Sequence, residues 1–377
     1  MPAEELNAAM AARVGRGEMP GIVTLVARDD DVTVEAIGVT AFGGDVPMRR
    51  DTPFRITSMT KPIMAAAALM LVEDGLFDLE EPVHRLLPEL AGQRVLRAYD
   101  AELDDTVPLS RPVTVDDLLT FRLGHGMIVE PEMDPPVPVV RRGAELELMF
   151  GPPEPRSPFG VDEWVRRFAS LPLIHQPGEK WMYNTGTLVL GALISRATGQ
   201  ALGAVLADRI FEPLGMKHTG FALPRDLAER LPAQYLDGKA ENTATGPEHW
   251  LAEPPFPSGS GGLASTVDDY LAFARLLLNR GVHGGTRLLS EHSVELMTTN
   301  HLSPEQIASG AFLLGGSGWG MGLGVVLDSG RYGWSGGYGS DFFVDPAQRL
   351  IAIAMTQVSP FLWTGGMEEF TRLADKP

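Results

Sequence analysis

Ser58 and Lys61, in Ser58-Met59-Thr60-Lys61, put a hydroxyl and an amine one helical turn apart. The segment Pro62 to Leu71 that follows is almost wholly apolar and rich in helix formers, so a helix is expected there. Residues three apart lie on one helix face, and Lys61 can therefore reach back to the Ser58 oxygen. Burial disfavours a charged ammonium, and so does the positive end of a helix. Lys61 is thus a candidate neutral base, and Ser58 a candidate nucleophile.

That spacing alone is not specific. The chain has lysines at positions 61, 180, 217, 239 and 376 against 17 serines. By chance, some lysine falls three after a serine in roughly a quarter of such chains. A serine ahead of an apolar helix is also an ordinary N-cap. Against this, Thr57 is available to cap, and a lysine among alanines and methionines is costly to bury.

Two further stretches carry chemistry. Tyr183 lies in Pro177-Gly178-Glu179-Lys180-Trp181-Met182-Tyr183-Asn184-Thr185-Gly186, a turn leading into a helix. Its phenol can shuttle the serine proton at a cleft mouth; an interfacial tyrosine with one wet end is the plainer alternative. Gly333-Trp334-Ser335-Gly336-Gly337-Tyr338-Gly339-Ser340 sits just before a strand-like run. Its glycines bring backbone N–H groups close to a ligand, as an oxyanion site requires. Taken alone it reads equally as a glycine-rich hairpin.

These residues need a frame. Glu4 to Val14 reads as an amphipathic helix, followed by strand-like runs Gly21–Arg28 and Val32–Val39 around Asp29-Asp30-Asp31. Phe54-Arg55-Ile56 is a short strand leading to Ser58. Thr114-Val115-Asp116-Asp117 resembles a capping box, and Val161–Leu171, Thr185–Thr198 and Leu202–Phe211 are helix candidates. Pro131–Pro158, with eight prolines, is expected to be a long irregular loop, of the kind that forms a lid or stays disordered. After the glycine cluster Gly259–Gly262, Thr266 caps a helix over Tyr270–Asn279. Strand candidates then recur at Met321–Leu327, Asp341–Val344 and Leu350–Thr356, with a last helix at Met367–Ala374. Strands at both ends around a helical middle imply an α/β domain formed from residues 1–75 and 255–377, with an inserted, mainly helical domain over 76–254.

Composition narrows the function. At 377 residues, 44% hydrophobic and 21% charged, the chain can bury a large core. A net charge of −18 argues against nucleic acid and anionic membrane as partners. Cysteine is absent, which excludes disulfides and thiol catalysis. The polar start Met1-Pro2-Ala3-Glu4-Glu5-Leu6 has no signal-peptide core behind it, and no run reaches membrane-span length, so a cytoplasmic location is expected. The histidines show no metal spacing, and neither a metal nor a cofactor is expected. His125, in Gly124-His125-Gly126, is a candidate lining residue of the cleft.

The serine–lysine pair, the Pro-Gly-Glu-x-Trp-x-Tyr turn, the Ser258–Thr266 segment and Gly-Trp-Ser-Gly-Gly occur in that order. Together they resemble the serine β-lactamase and penicillin-binding-protein superfamily, on its class C side and closest to the family VIII carboxylesterases. The resemblance covers nearly the whole chain. It implies an antiparallel sheet flanked by helices plus a helical domain, with Ser58 as acylated nucleophile, Lys61 as base and Tyr183 as the catalytic tyrosine. It also implies an oxyanion hole from the N–H groups of Ser58 and Gly337, and Trp334-Ser335-Gly336 in the place of the Lys-Thr-Gly element. Thr185 stands where class C enzymes carry the asparagine of Tyr-x-Asn, with Asn184 one place early. No Lys-Thr-Gly or Lys-Ser-Gly exists in the chain. A lysine there would pair with a substrate carboxylate, which Trp334 cannot do. Uncharged esters are therefore the expected small-molecule substrates, with Trp334, Ser335, Gly336, Thr185 and His125 as candidate binding residues.

Gly333-Trp334-Ser335-Gly336-Gly337 also fits Gly-x-Ser-x-Gly, the nucleophile elbow of α/β-hydrolases. The elbow needs a helix straight after the serine and a later histidine. Here glycines and a strand-like run follow, and the last histidine is His301. The expected function is a serine carboxylesterase for short acyl groups, with weak β-lactam turnover as a side activity. An acyltransferase, or a β-lactamase or D-amino-peptidase type of activity at the same site, is the near alternative. A non-catalytic ligand-binding protein retaining the fold is the distant one.

Overall fold

The computed structural model describes residues 2–128, 137–148, 156–236, 239–240 and 246–376. Gly21–Arg28 and Asp31–Gly38 form a hairpin, turning through Asp29 at a left-handed φ of 51°. They join five strands from late in the chain in one seven-stranded sheet, every pairing antiparallel. Its order is Gly318–Trp319, Gly324–Val325, Tyr332–Gly336, Ser340–Asp345, Leu350–Met355, Gly21–Arg28, Asp31–Gly38. Early and late strands meet where Val23 faces Met355 and Arg28 faces Leu350. Leu350–Met355 is buried at every position, which explains its unbroken apolar run.

Both sheet faces are covered. On one, Leu6 and Met10 of the helix Pro2–Gly15 pack with Phe370 and Leu373 of the helix Gly366–Ala374 over Ile22, Ala352 and Ala354. An ion pair from Lys376 to Glu5 at 2.7 Å joins these two helical segments. On the other face, Val23, Leu25, Phe342 and Ile353 meet Met59, Ile63, Tyr270 and Phe273. The rings of Tyr270 and Phe342 stand edge to face at 4.8 Å. This antiparallel sheet flanked by helices is the fold class expected.

Two helices fill the interior beside the sheet. Thr60–Glu73 is buried from Thr60 through Leu71, and Thr185–Thr198 from Thr185 through Ile194; the two pack on each other. Each is predominantly apolar around its circumference, as suits an interior helix, with its polar residues gathered at the ends. Among the described residues no single helix is long and apolar enough to cross a membrane.

Several local expectations are corrected. Within the proline-rich stretch, Pro138–Glu145 is a helix, because Pro138 suits a first helical position and Val139, Gly143 and nearby Leu148 are buried; 131–136 and 149–155 lie outside the described residues. The strand expected over Met321–Leu327 shrinks to Gly324–Val325. Gly322, at φ 81°, breaks it where the chain passes against the Lys61 carbonyl. Leu202–Phe211 begins as an α-helix but widens to a π turn over Ala207–Phe211. The glycine-rich stretch is not merely a prelude to a strand: Tyr332–Gly336 is itself one. The capping box at Thr114 and the cap at Thr266 form as the sequence suggests.

Candidate active site

The short strand Phe54–Arg55 pairs with Ala264–Ser265 and delivers the chain to a 3₁₀ turn, Thr57–Met59, that runs into Thr60–Glu73. Thr57 does not cap that helix. It has a left-handed φ of 42°, and its buried hydroxyl finds no hydrogen-bond partner among the described residues. This strained position is the one directly ahead of Ser58.

Lys61 lies in the first turn of the helix and is fully buried. Its Nζ is 2.9 Å from Ser58 Oγ and donates to the Ser260 carbonyl at 2.6 Å. It also stands 4.5 Å from the centre of the Tyr183 ring. Burial holds its ammonium form well below the usual lysine range, and no carboxylate pairs with it among the described residues. A neutral amine has two N–H bonds and one lone pair. With one N–H on the Ser260 carbonyl, the lone pair is available to the Ser58 O–H across the 2.9 Å contact.

Tyr183 comes from the other interior helix, just ahead of its start. The Met182 N–H donates to the Phe121 carbonyl at 2.8 Å, and the Met127 N–H to the Tyr183 carbonyl at 2.9 Å. Asn184 then takes a φ of 91° to enter the helix. The phenol hydrogen-bonds Ser58 and accepts from Trp334 Nε1 at 2.7 Å. Burial pushes it up to about 12, against the pull of those two bonds. Phe121, Trp181, Trp319 and Trp334 surround the ring at 5.6 to 6.5 Å between centres.

Trp334 belongs to the strand Tyr332–Gly336. One neighbour, Ser340–Asp345, pairs with its whole length, but Gly324–Val325 pairs only with Tyr332 and Gly333. Among the described residues, the outer edge of Trp334–Gly336 therefore has no strand partner. A Cβ on Gly336 would overlap the Ile56 carbonyl and Ser340 Oγ, so only glycine lets this strand lie against the Ser58 turn. Gly337 follows, exposed, with its carbonyl accepting from Ser359 Oγ at 2.7 Å. The Ser58 N–H precedes the first bond of the turn, from Met59 N to the Ile56 carbonyl.

Ser335 differs from expectation. Strand alternation turns it to the sheet face opposite Trp334, where its hydroxyl donates to Asp341 at 2.7 Å and contacts the Met367 sulfur. Its side chain thus faces the C-terminal helix, which fits neither a substrate contact nor an elbow nucleophile. His125 Nδ1 lies 3.2 Å from Oγ1 of Thr185, the first residue of the helix that follows Tyr183. Both are buried, and burial pushes the His125 imidazole down to about 3, so it stays neutral.

Two groups escaped the sequence reading. Ser260 holds Lys61 through its carbonyl, and only the glycine cluster around it hinted at a close approach. Trp334 is a hydrogen-bond donor to Tyr183 as well as an apolar wall. Among the described residues no three His, Asp or Glu side chains converge as a metal site.

A family model described as Beta-lactamase matches residues 6–369. Esterase EstB of Burkholderia gladioli is 30% identical over 388 residues, covering 95% of this chain and 91% of its own. Rv1367c of Mycobacterium tuberculosis is 37% identical over 367 residues, covering 92% and 88%. Among solved structures, "EstCE1, a hydrolase with promiscuous acyltransferase activity" matches with a TM-score of 0.82 at 23% identity, over 100% of this chain and 98% of its own. The chain belongs to the β-lactamase family, within the β-lactamase and transpeptidase-like superfamily.

Proposed function

We propose that the protein is a serine hydrolase that cleaves uncharged carboxylic esters of short acyl chain through an acyl-enzyme on Ser58. The observation that carries this is the convergence of the Ser58 hydroxyl, the Lys61 amine and the Tyr183 phenol, with Trp334 where a cation would recognise a carboxylate. Ser58 Oγ attacks the ester carbonyl carbon as its proton passes to Lys61 Nζ. The carbonyl oxygen becomes an oxyanion beside the N–H groups of Ser58 and Gly337. As the tetrahedral species collapses, the bond to the alcohol oxygen breaks and that oxygen takes a proton from Tyr183 or Lys61. Water then attacks the acyl-enzyme, gives its proton to the same pair and releases the acid, and Ser58 regains its hydrogen.

The name of EstB supports esters as the substrate class. Transfer of the acyl group to an alcohol other than water is the second reading. It needs no new residue, and the description of EstCE1 favours it. The test is turnover of p-nitrophenyl acetate and butyrate by the protein and by Ser58→Ala, beside nitrocefin. Ester turnover lost by at least about a thousandfold in Ser58→Ala supports the reading. Turnover indifferent to that substitution sinks it, and fast nitrocefin hydrolysis overturns the argument from Trp334.

A further inference from the structure

We propose that Ser260 is a positioning residue that holds Lys61 and Tyr183 in register, an inference that rests on the ester-hydrolase reading above. Ser260 is 4% exposed. Its carbonyl accepts from Lys61 Nζ at 2.6 Å, and its hydroxyl donates to the Asn184 carbonyl, also at 2.6 Å. Thr187 Oγ1, 2.8 Å away, supplies a donor to the same hydroxyl. One residue therefore grips the amine with its backbone and the tyrosine-bearing turn with its side chain.

The place where it grips matters. Asn184 follows Tyr183 directly, and its φ of 91° is a conformation that a non-glycine residue keeps only when its surroundings impose it. The Ser260 hydroxyl is one of those impositions. The glycines beside it permit the approach: a Cβ at Gly259 would stand 2.5 Å from the Thr187 carbonyl oxygen and 3.0 Å from Met64 Cε. The Gly262 N–H closes the turn onto the Ser258 carbonyl at 2.8 Å. Without the hydroxyl, the Asn184 carbonyl loses a donor and the space admits water. Water next to the Lys61 amine favours its charged form.

The experiment is the pH dependence of kcat and kcat/KM for Ser260→Ala, Ser260→Thr and the wild type on p-nitrophenyl acetate. Ser260→Ala is expected to lower kcat about 10- to 100-fold with KM within about twofold. Its acid limb moves to higher pH, and Ser260→Thr, which keeps the hydroxyl, returns the limb to its place. A wild-type kcat, or a lowered kcat with the acid limb unmoved, overturns the proposal. Should Ser260→Ala fail to fold, Thr187→Val removes the donor to that hydroxyl; a smaller shift of the same sign is expected, and no shift overturns the proposal. Ser58→Ala separates the two claims. Turnover surviving in Ser58→Ala defeats the hydrolase reading itself, whereas turnover lost there but unchanged in Ser260→Ala defeats only the role of Ser260.

Discussion

The indole N–H of Trp334 donates to the phenol oxygen of Tyr183 across 2.7 Å. The superfamily resemblance puts a lysine at this place, where an ammonium can serve both the tyrosine and a substrate carboxylate. Tryptophan separates those two tasks. On the proposed reading, it keeps a donor to the phenol for the proton relay and, being uncharged, offers an anionic substrate no ion pair.

Trp334→Phe keeps the ring and removes the N–H. With that stabilisation gone, the Tyr183 phenol becomes harder still to ionise, and kcat on p-nitrophenyl butyrate should fall about tenfold, or about 1.4 kcal/mol. Steady-state kinetics read this directly, and an unchanged kcat contradicts the role given to the indole.

The pH profile of kcat/KM should be a single rising limb, set by loss of the proton from Lys61. Tyr183, pushed up to about 12, gives no descending limb in the working range. His125, down at about 3, adds no step near neutrality. A bell-shaped profile that falls again below about pH 9 is incompatible with this assignment.

Lys61→Met should be inactive and more stable. An unfolded chain takes up the lysine proton below its ordinary value of 10.5, whereas the folded site refuses it until far lower pH. Each pH unit between those points costs the folded state about 1.4 kcal/mol. The gain in Tm over wild type should therefore be larger at neutral pH than at pH about 10, and an equal gain at both would refute the buried neutral amine.

Gly336→Ala should damage both fold and catalysis, because its methyl overlaps the Ile56 carbonyl two residues ahead of Ser58. A loss of about 2 kcal/mol or more in denaturant unfolding is expected, with kcat reduced in whatever folds. Gly337→Ala, where a Cβ meets open space, is the control and should leave stability near wild type.

Asp341→Asn tests the buried carboxyl that accepts from Ser335. Burial pushes it up to about 7 from an ordinary 3.8, so the folded protein keeps a proton that the unfolded chain releases. Stability is lost as pH rises between those values and stays low above them. The amide needs no proton, so Asp341→Asn should stabilise by a few kcal/mol above about pH 7 and by little near pH 4.

The Ser58–Lys61 contact was legible because helix geometry alone brings residues three apart together. The sheet strands Gly21–Arg28 and Leu350–Met355 were legible because their β-branched and apolar runs are long. The Trp334–Tyr183 bond was not: it spans 151 residues, and no local pattern reports which side of an indole meets a phenol. Ser335 was misjudged because Gly-rich sequence hid a regular strand, and with it the alternation that turns the side chain away. Ser260 is not legible because its contact with Lys61 is made through its carbonyl, a group that every residue possesses. Thr57 looked like a cap by type, but its left-handed backbone aims the hydroxyl elsewhere.

The helices Pro2–Gly15 and Gly366–Ala374 lie side by side on the sheet face turned away from Trp334. A cross-link between exposed positions on the two should therefore form without distorting the sheet. For the same reason, tethering the molecule to a solid support through either helix leaves the opposite side of the sheet, which carries Trp334, away from the support.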